Sequence, residues 1–136
     1  MIQHTEIVLP EFNRGFHIIT DQILNKIKEL PQSGLLNIFC QHTSCALSLN
    51  ENCDPSVRND LNCFIDHLIP ENKFPYTHTA EGQDDMPAHI KTSVIGSHLC
   101  IPIINKKLAL GTWQGIYLCE FRNTAGPRNL ILSVTS

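Results

Sequence analysis

Apolar positions along the chain change period several times, and each change marks an element. Thr5–Leu9 and Gly15–Thr20 alternate in part and are rich in β-branched residues, which predicts two short strands joined by a loop holding Pro10 and Asn13. From Thr20 or Asp21 the period lengthens. Ile23, Leu24, Ile27 and Leu30 fall on one face of a helix that Pro31–Gly34 ends. Gly34–Gln41 and Cys45–Asn50 read as strands again, with His42-Thr43-Ser44 between them or within one bulged strand. Asp54-Pro55 is a helix start, an acceptor at the cap followed by a proline whose missing N–H costs nothing there. Val57, Leu61, Phe64, Ile65 and Leu68 continue that helix to an exit at Pro70.

Glu71–Asp85 shows no period, and an ordered irregular segment of this length inside a compact domain is often functional. Asp84 or Asp85 is expected to cap a third helix running to Ile95, with Pro87 in its first turn and Gly96 as its stop. The remainder reads as strand: Leu99–Ile104, a turn at Asn105-Lys106-Lys107, Thr112–Phe121, a Gly126-Pro127 turn, and Asn129–Val134. Short turns between neighbouring strands predict antiparallel pairing. The expected fold class is α+β, a single domain over residues 1–136 of largely antiparallel β-sheets with about three helices.

Composition narrows the function classes. A hydrophobic share of 42% with 17% charged residues excludes a disordered or low-complexity chain. Ten basic against thirteen acidic residues give a net charge of −3, which removes any bulk pull toward nucleic acid or anionic membranes. No apolar run approaches the roughly 18–20 residues that span a bilayer, and MIQHTEIVLP lacks the basic and apolar regions of a secretory signal, so a cytoplasmic location is expected. The six cysteines include no CxxC pair, and NIFCQ, HLCIP and YLCEF set three of them in apolar company; buried free thiols are the expected state.

Chemistry concentrates in a few stretches. His42 in QHTSC, His78 in YTHTAEG and His89 in PAHIK can supply the three imidazoles of a catalytic zinc site with one open position, although they match no compact ligand spacing. Hydrogen-bonded histidines without a metal are the plain alternative. Asp84-Asp85 precedes the third helix, where one acid can cap and the other is free for a cation or a substrate proton. In NENCDPSVR, Asp54 reads as the cap and Glu51 is left without a structural role. Ser44 or Cys45 beside His42 suggests a nucleophile, but neighbours on a strand point to opposite faces and no GxSxG elbow occurs. Glu120 and Arg122 share a strand face and read as a surface ion pair, and Trp113 reads as core. No glycine-rich phosphate loop is found.

Three stretches together, QHTSCALSLNENCDPSVRNDL, YTHTAEGQDDMPAHIKTSVIG and LALGTWQGIYLCEFR followed by GPRN, resemble the YjbQ-like family from about residue 36 onward. The resemblance implies a homotrimer with a polar cleft, a weak or secondary thiamine-phosphate synthase activity, and in some members a bound metal such as zinc. Carried onto this sequence, it implies His42, His78 and His89 as metal ligands and Glu51, Asp84 and Asp85 as catalytic acids. Phe121 stands where the family often has histidine, and Cys45 where alanine is common. For a phosphorylated small-molecule substrate the expected contacts are Ser44, Lys91 and Arg122, with Arg128 nearby, and Mg²⁺ on Asp84 and Asp85 would assist loss of pyrophosphate. That cation supply is sparse for two phosphorylated substrates, and a histidine-held zinc suits hydrolysis or proton transfer better. Metal-dependent hydrolysis, or metal and metabolite binding without turnover, are the alternatives.

Overall fold

The computed structural model describes residues 1–136 as eight strands and three helices. In chain order these are β1 (Ile2–Leu9), β2 (Gly15–Ile18), α1 (Thr20–Leu24), β3 (Ser33–Cys40), β4 (Cys45–Glu51), α2 (Pro55–Leu68), α3 (Asp85–Ile95), β5 (His98–Ile104), β6 (Lys107–Leu108), β7 (Gln114–Glu120) and β8 (Arg128–Thr135). The α+β class with antiparallel sheets is as expected. The pairing partners are not. Apart from β5 and β6, strands consecutive in sequence enter opposite sheets: a five-stranded sheet ordered β1-β8-β3-β5-β6 and a three-stranded sheet ordered β2-β7-β4. Only β5 and β6 form a hairpin, and there Asn105 and Lys106 both take positive φ, the conformation such a tight turn requires.

Three layers result. Leu36, Ile38, Ile101, Ile103, Leu130 and Leu132 from the larger sheet meet Cys45, Leu47, Ile116 and Leu118 from the smaller one in the main core. The other face of the smaller sheet offers Ala46, Tyr117 and Cys119 to Ile65 and Ile69 of the α2 end and Ala88 of α3. Central strand β7 is therefore buried on both faces, which explains why GIYLCE reads as an almost unbroken apolar run.

The first helix is shorter than its periodicity implies, ending at Leu24 rather than near Leu30. It has no side-chain cap: the Thr20 hydroxyl instead accepts the Ile116 N–H at 2.9 Å. A short uncapped segment does not repay helix nucleation, so Ile27 and Leu30 pack on the core from a loop. The second helix matches its prediction, with the Asp54 carboxylate accepting from the Ser56 N–H. All six cysteines are free; Cys40, Cys45 and Cys119 are buried, whereas Cys53, Cys63 and Cys100 are exposed against expectation. Burial pushes the Cys119 thiol up.

Candidate metal centre

The site lies at one end of the smaller sheet. Because Cys45 pairs with Glu120, the 41–44 loop before β4 and residues 121–123 after β7 come to the same end, where the start of α3 also packs. Between Leu68 and Asp85 there is no regular element, as the lack of period implied. Arg14 anchors that segment near its start by pairing with Glu71, and also binds Asp66 at 2.8 Å.

Asp85 and His89 stand one turn apart on α3 and so face the same way. Asp85 Oδ2 lies 2.7 Å from His78 Nε2 and 3.1 Å from His89 Nε2. One donor atom from each of the three residues lies within 4.8 Å of the others. Asp85 Oδ1 accepts from Arg122 Nη1 at 2.5 Å, Arg122 Nε donates to Asp84 Oδ2 at 2.9 Å, and Nη2 donates to the Glu81 carbonyl at 3.0 Å. The Asn123 N–H also donates to Asp84 Oδ2, at 2.9 Å.

The hydrogen bonds fix which ring nitrogen of His89 faces the site. His89 Nδ1 is 2.9 Å from the Thr43 carbonyl, which can only accept, so Nδ1 carries a proton. A neutral His89 then directs the Nε2 lone pair at Asp85. Two lone pairs do not attract, so a proton or a metal cation belongs between them. A ring nitrogen held by a backbone carbonyl while the other faces the site is the usual support of a metal-ligating histidine. Asp85 is 1% exposed. Burial alone would raise its carboxyl, but the His78 hydrogen bond and the charges of His89 and Arg122 outweigh burial and hold it below the usual carboxylate range. Asp84 is likewise lowered: the Asn123 N–H and Arg122 outweigh its burial.

The expected three-histidine set is not assembled within the chain. His42 stands outside the cluster, and its Nε2 accepts the Asn129 N–H at 2.7 Å, which puts the proton on Nδ1 and leaves neither nitrogen free to bind a metal. Burial and the nearby Arg128 charge keep the His42 pKa low, in keeping with a neutral ring. Asp85 takes the third position instead. Its signal was present in the sequence as an acid four residues before a helical histidine, but the paired acids read more readily as caps. Neither side chain caps α3. Nor do the two acids leave room between them for Mg²⁺, because the Arg122 guanidinium bridges them.

The other expected contacts are engaged elsewhere. Glu51 accepts from the Cys53 and Asp54 N–H groups at the entrance to α2, a structural role. Lys91 is buried, with Nζ 2.6 Å from Asp66 and 5.6 Å from the centroid of the Phe121 ring. Ser44 is buried, and its hydroxyl accepts from Arg128 Nη2 at 3.0 Å. Glu120 and Arg122 do not form the expected surface pair. Glu120 is fully buried and takes Arg128 through two bonds of 2.7 and 2.6 Å. Trp113, expected in the core, is 63% exposed beside Asn50 and Glu51 in a separate cleft. A cleft of about 410 Å³ opens beside His78, lined also by Tyr76, Thr79, Gln83 and Met86.

These features define a small, two-sheet α+β protein with a His–Asp–His cluster at the start of a helix. The chain belongs to the YjbQ family: the family described as "UPF0047 protein YjbQ-like" matches residues 5–136. It is 49% identical over 130 residues to the UPF0047 protein YjbQ of Salmonella typhimurium, covering 94% of each chain. The Synechocystis UPF0047 protein sll1880 is 39% identical over 135 residues, covering 98% of this chain and 92% of the relative. Among solved structures, a Clostridium acetobutylicum protein of the yjbq/upf0047 family superposes with a TM-score of 0.83 at 35% identity, covering 96% of this chain and 99% of that one.

Proposed function

We propose that this protein is a metal-dependent enzyme acting on a small molecule, with His78, Asp85 and His89 as the metal ligands. One observation carries the reading: the Thr43 carbonyl holds the Nδ1 proton of His89, so the ring turns Nε2 to the buried Asp85 carboxylate, where a proton or a metal cation bridges the two. Two imidazoles and one carboxylate suit zinc, and leave a fourth position for substrate or water. Imidazole donors disfavour Mg²⁺, which takes oxygen ligands. When bound, a divalent metal supplies Lewis acidity toward a substrate oxygen. Arg122 balances the acid pair and fixes the direction of the Asp85 carboxylate, and Thr43 fixes the His89 ring. His78, on the irregular segment, borders the cleft that would admit substrate.

Metal-assisted hydrolysis or proton transfer fits this donor set better than thiamine-phosphate synthesis. Lys91, Arg122 and Arg128 are each paired with a carboxylate, so the cations expected to take phosphates are already neutralised. We therefore place thiamine-phosphate formation as a side activity. Homotrimeric assembly belongs to the same proposal. It is supported by Val8, Leu35, Phe39 and Ile104, which stay exposed on the outer face of the five-stranded sheet.

The test is elemental analysis and zinc calorimetry on untagged protein prepared without chelator. The expected result is about one zinc per chain, lost in His78→Ala and His89→Ala and retained in His42→Ala. A wild type that takes up no zinc on reconstitution overturns the proposal.

A further inference from the structure

The strand ends flanking the 41–44 loop bring two core thiols together for which the proposed site has no use. Cys40 closes β3 in the larger sheet and Cys45 opens β4 in the smaller one, and their sulfurs lie 3.3 Å apart in the core. Cys40 is 2% and Cys45 0% exposed. The cover over them is thin: of the four linking residues, Gln41 and Thr43 are exposed and His42 is half-buried. Local opening of such a loop needs far less than global unfolding and admits an oxidant the size of peroxide.

We propose that Cys40 and Cys45 are a reversible redox modification site, closed to a disulfide by hydrogen peroxide and reopened by a dithiol. The disulfide needs an S–S distance of about 2.05 Å, so the sulfurs must approach by a little over 1 Å. The chemistry balances as two thiols plus one peroxide giving one disulfide and two waters. The first sulfur attacks peroxide, the O–O bond breaks, and a sulfenic acid forms with release of water. The second thiol then displaces the sulfenic oxygen as a second water, so each sulfur gives up one electron and one proton overall. Cys53, Cys63 and Cys100 are exposed, which makes them internal controls for oxidant dose.

The bond joins the two sheets at the base of the loop that presents Thr43 to His89 and Ser44 to Arg128. Closure is expected to slow amide hydrogen exchange across residues 41–44.

The experiment treats the full chain with graded peroxide, alkylates it in denaturant and maps the peptides. The expected result is a Cys40–Cys45 crosslinked species lighter by about 2 Da, the two lost hydrogens, reversed by dithiothreitol. Cys45→Ala and Cys45→Ser should both lack that species while keeping the wild-type circular dichroism spectrum. Full alkylation of Cys40 and Cys45 at doses that oxidise Cys53, Cys63 and Cys100 overturns the proposal. So does over-oxidation of Cys40 without crosslinking, or a crosslink that maps to any other pair. None of these readouts depends on metal.

Discussion

Asp85 is the residue on which the site turns, because one buried carboxylate answers two imidazoles and a guanidinium. Its folded pKa is depressed, so the stability it contributes is fully present above the unfolded value near 3.9 and is lost as pH falls through the folded value. Urea midpoints measured across the acid range should therefore fall more steeply with decreasing pH, below about pH 4, for wild type than for Asp85→Asn. Equal slopes would remove Asp85 from the acid response. Zinc binding separates residues in a second way. Asp85→Asn is expected to weaken zinc affinity by at least 100-fold, and Arg122→Gln, which frees the carboxylate to turn, by about 10–100-fold, as for other residues supporting metal ligands. Competition calorimetry reads both. An Arg122→Gln protein that binds zinc as tightly as wild type would show that the ligand cluster needs no brace.

At the scale of elements, the strands are held by close approaches and buried charge rather than by turns. Gly34 lies where β3 meets β8, and a Cβ there would stand 2.0 Å from the Thr135 carbonyl oxygen, which is backbone and has no rotamer to yield. Gly34→Ala should destabilise the fold by about 2–3 kcal/mol through overpacking, read from urea unfolding. Glu120 on β7 and Arg128 on β8 pair in the interior, where Arg128 also grips Ser44 of the 41–44 loop. Arg128→Met strands the Glu120 carboxylate and should cost about 3–5 kcal/mol, whereas Arg128→Met with Glu120→Leu should recover much of that loss. These features also mark where the sequence was legible. The cap and proline of α2, and the stop of α3 at Gly96, are local signals, and the structure has them where the sequence places them. Local pattern carries no record of which distant strand each strand joins, so the Glu120–Arg128 pair between different sheets leaves no trace in sequence, where Arg122, two residues on, is the nearer partner for Glu120.

For the whole molecule, the same limit decides what was seen of the site. His78, Asp85 and His89 all stood out as residue types, because histidines and paired acids in a segment without period are conspicuous. Their grouping was not legible. In sequence His42 is equivalent to the other two; what separates it is the Asn129 N–H donated to its Nε2. The Thr43 carbonyl is backbone and has no sequence signature at all. Alternation along strands does carry information at this scale. The register sets Phe39 between Ile131 and His98, and Leu35 between Thr135 and Pro102, so these side chains share the face turned away from the core. Phe39 remains 51% exposed there, on a sheet with no helix above it. An uncovered apolar face of this kind is where the proposed trimer is expected to form. Phe39→Lys sets a charge in the middle of that face without touching the core or the His–Asp–His cluster. Sedimentation equilibrium should then show wild type at about three times the chain mass and the variant at the mass of one chain. Wild type and variant sedimenting alike would place the contact elsewhere.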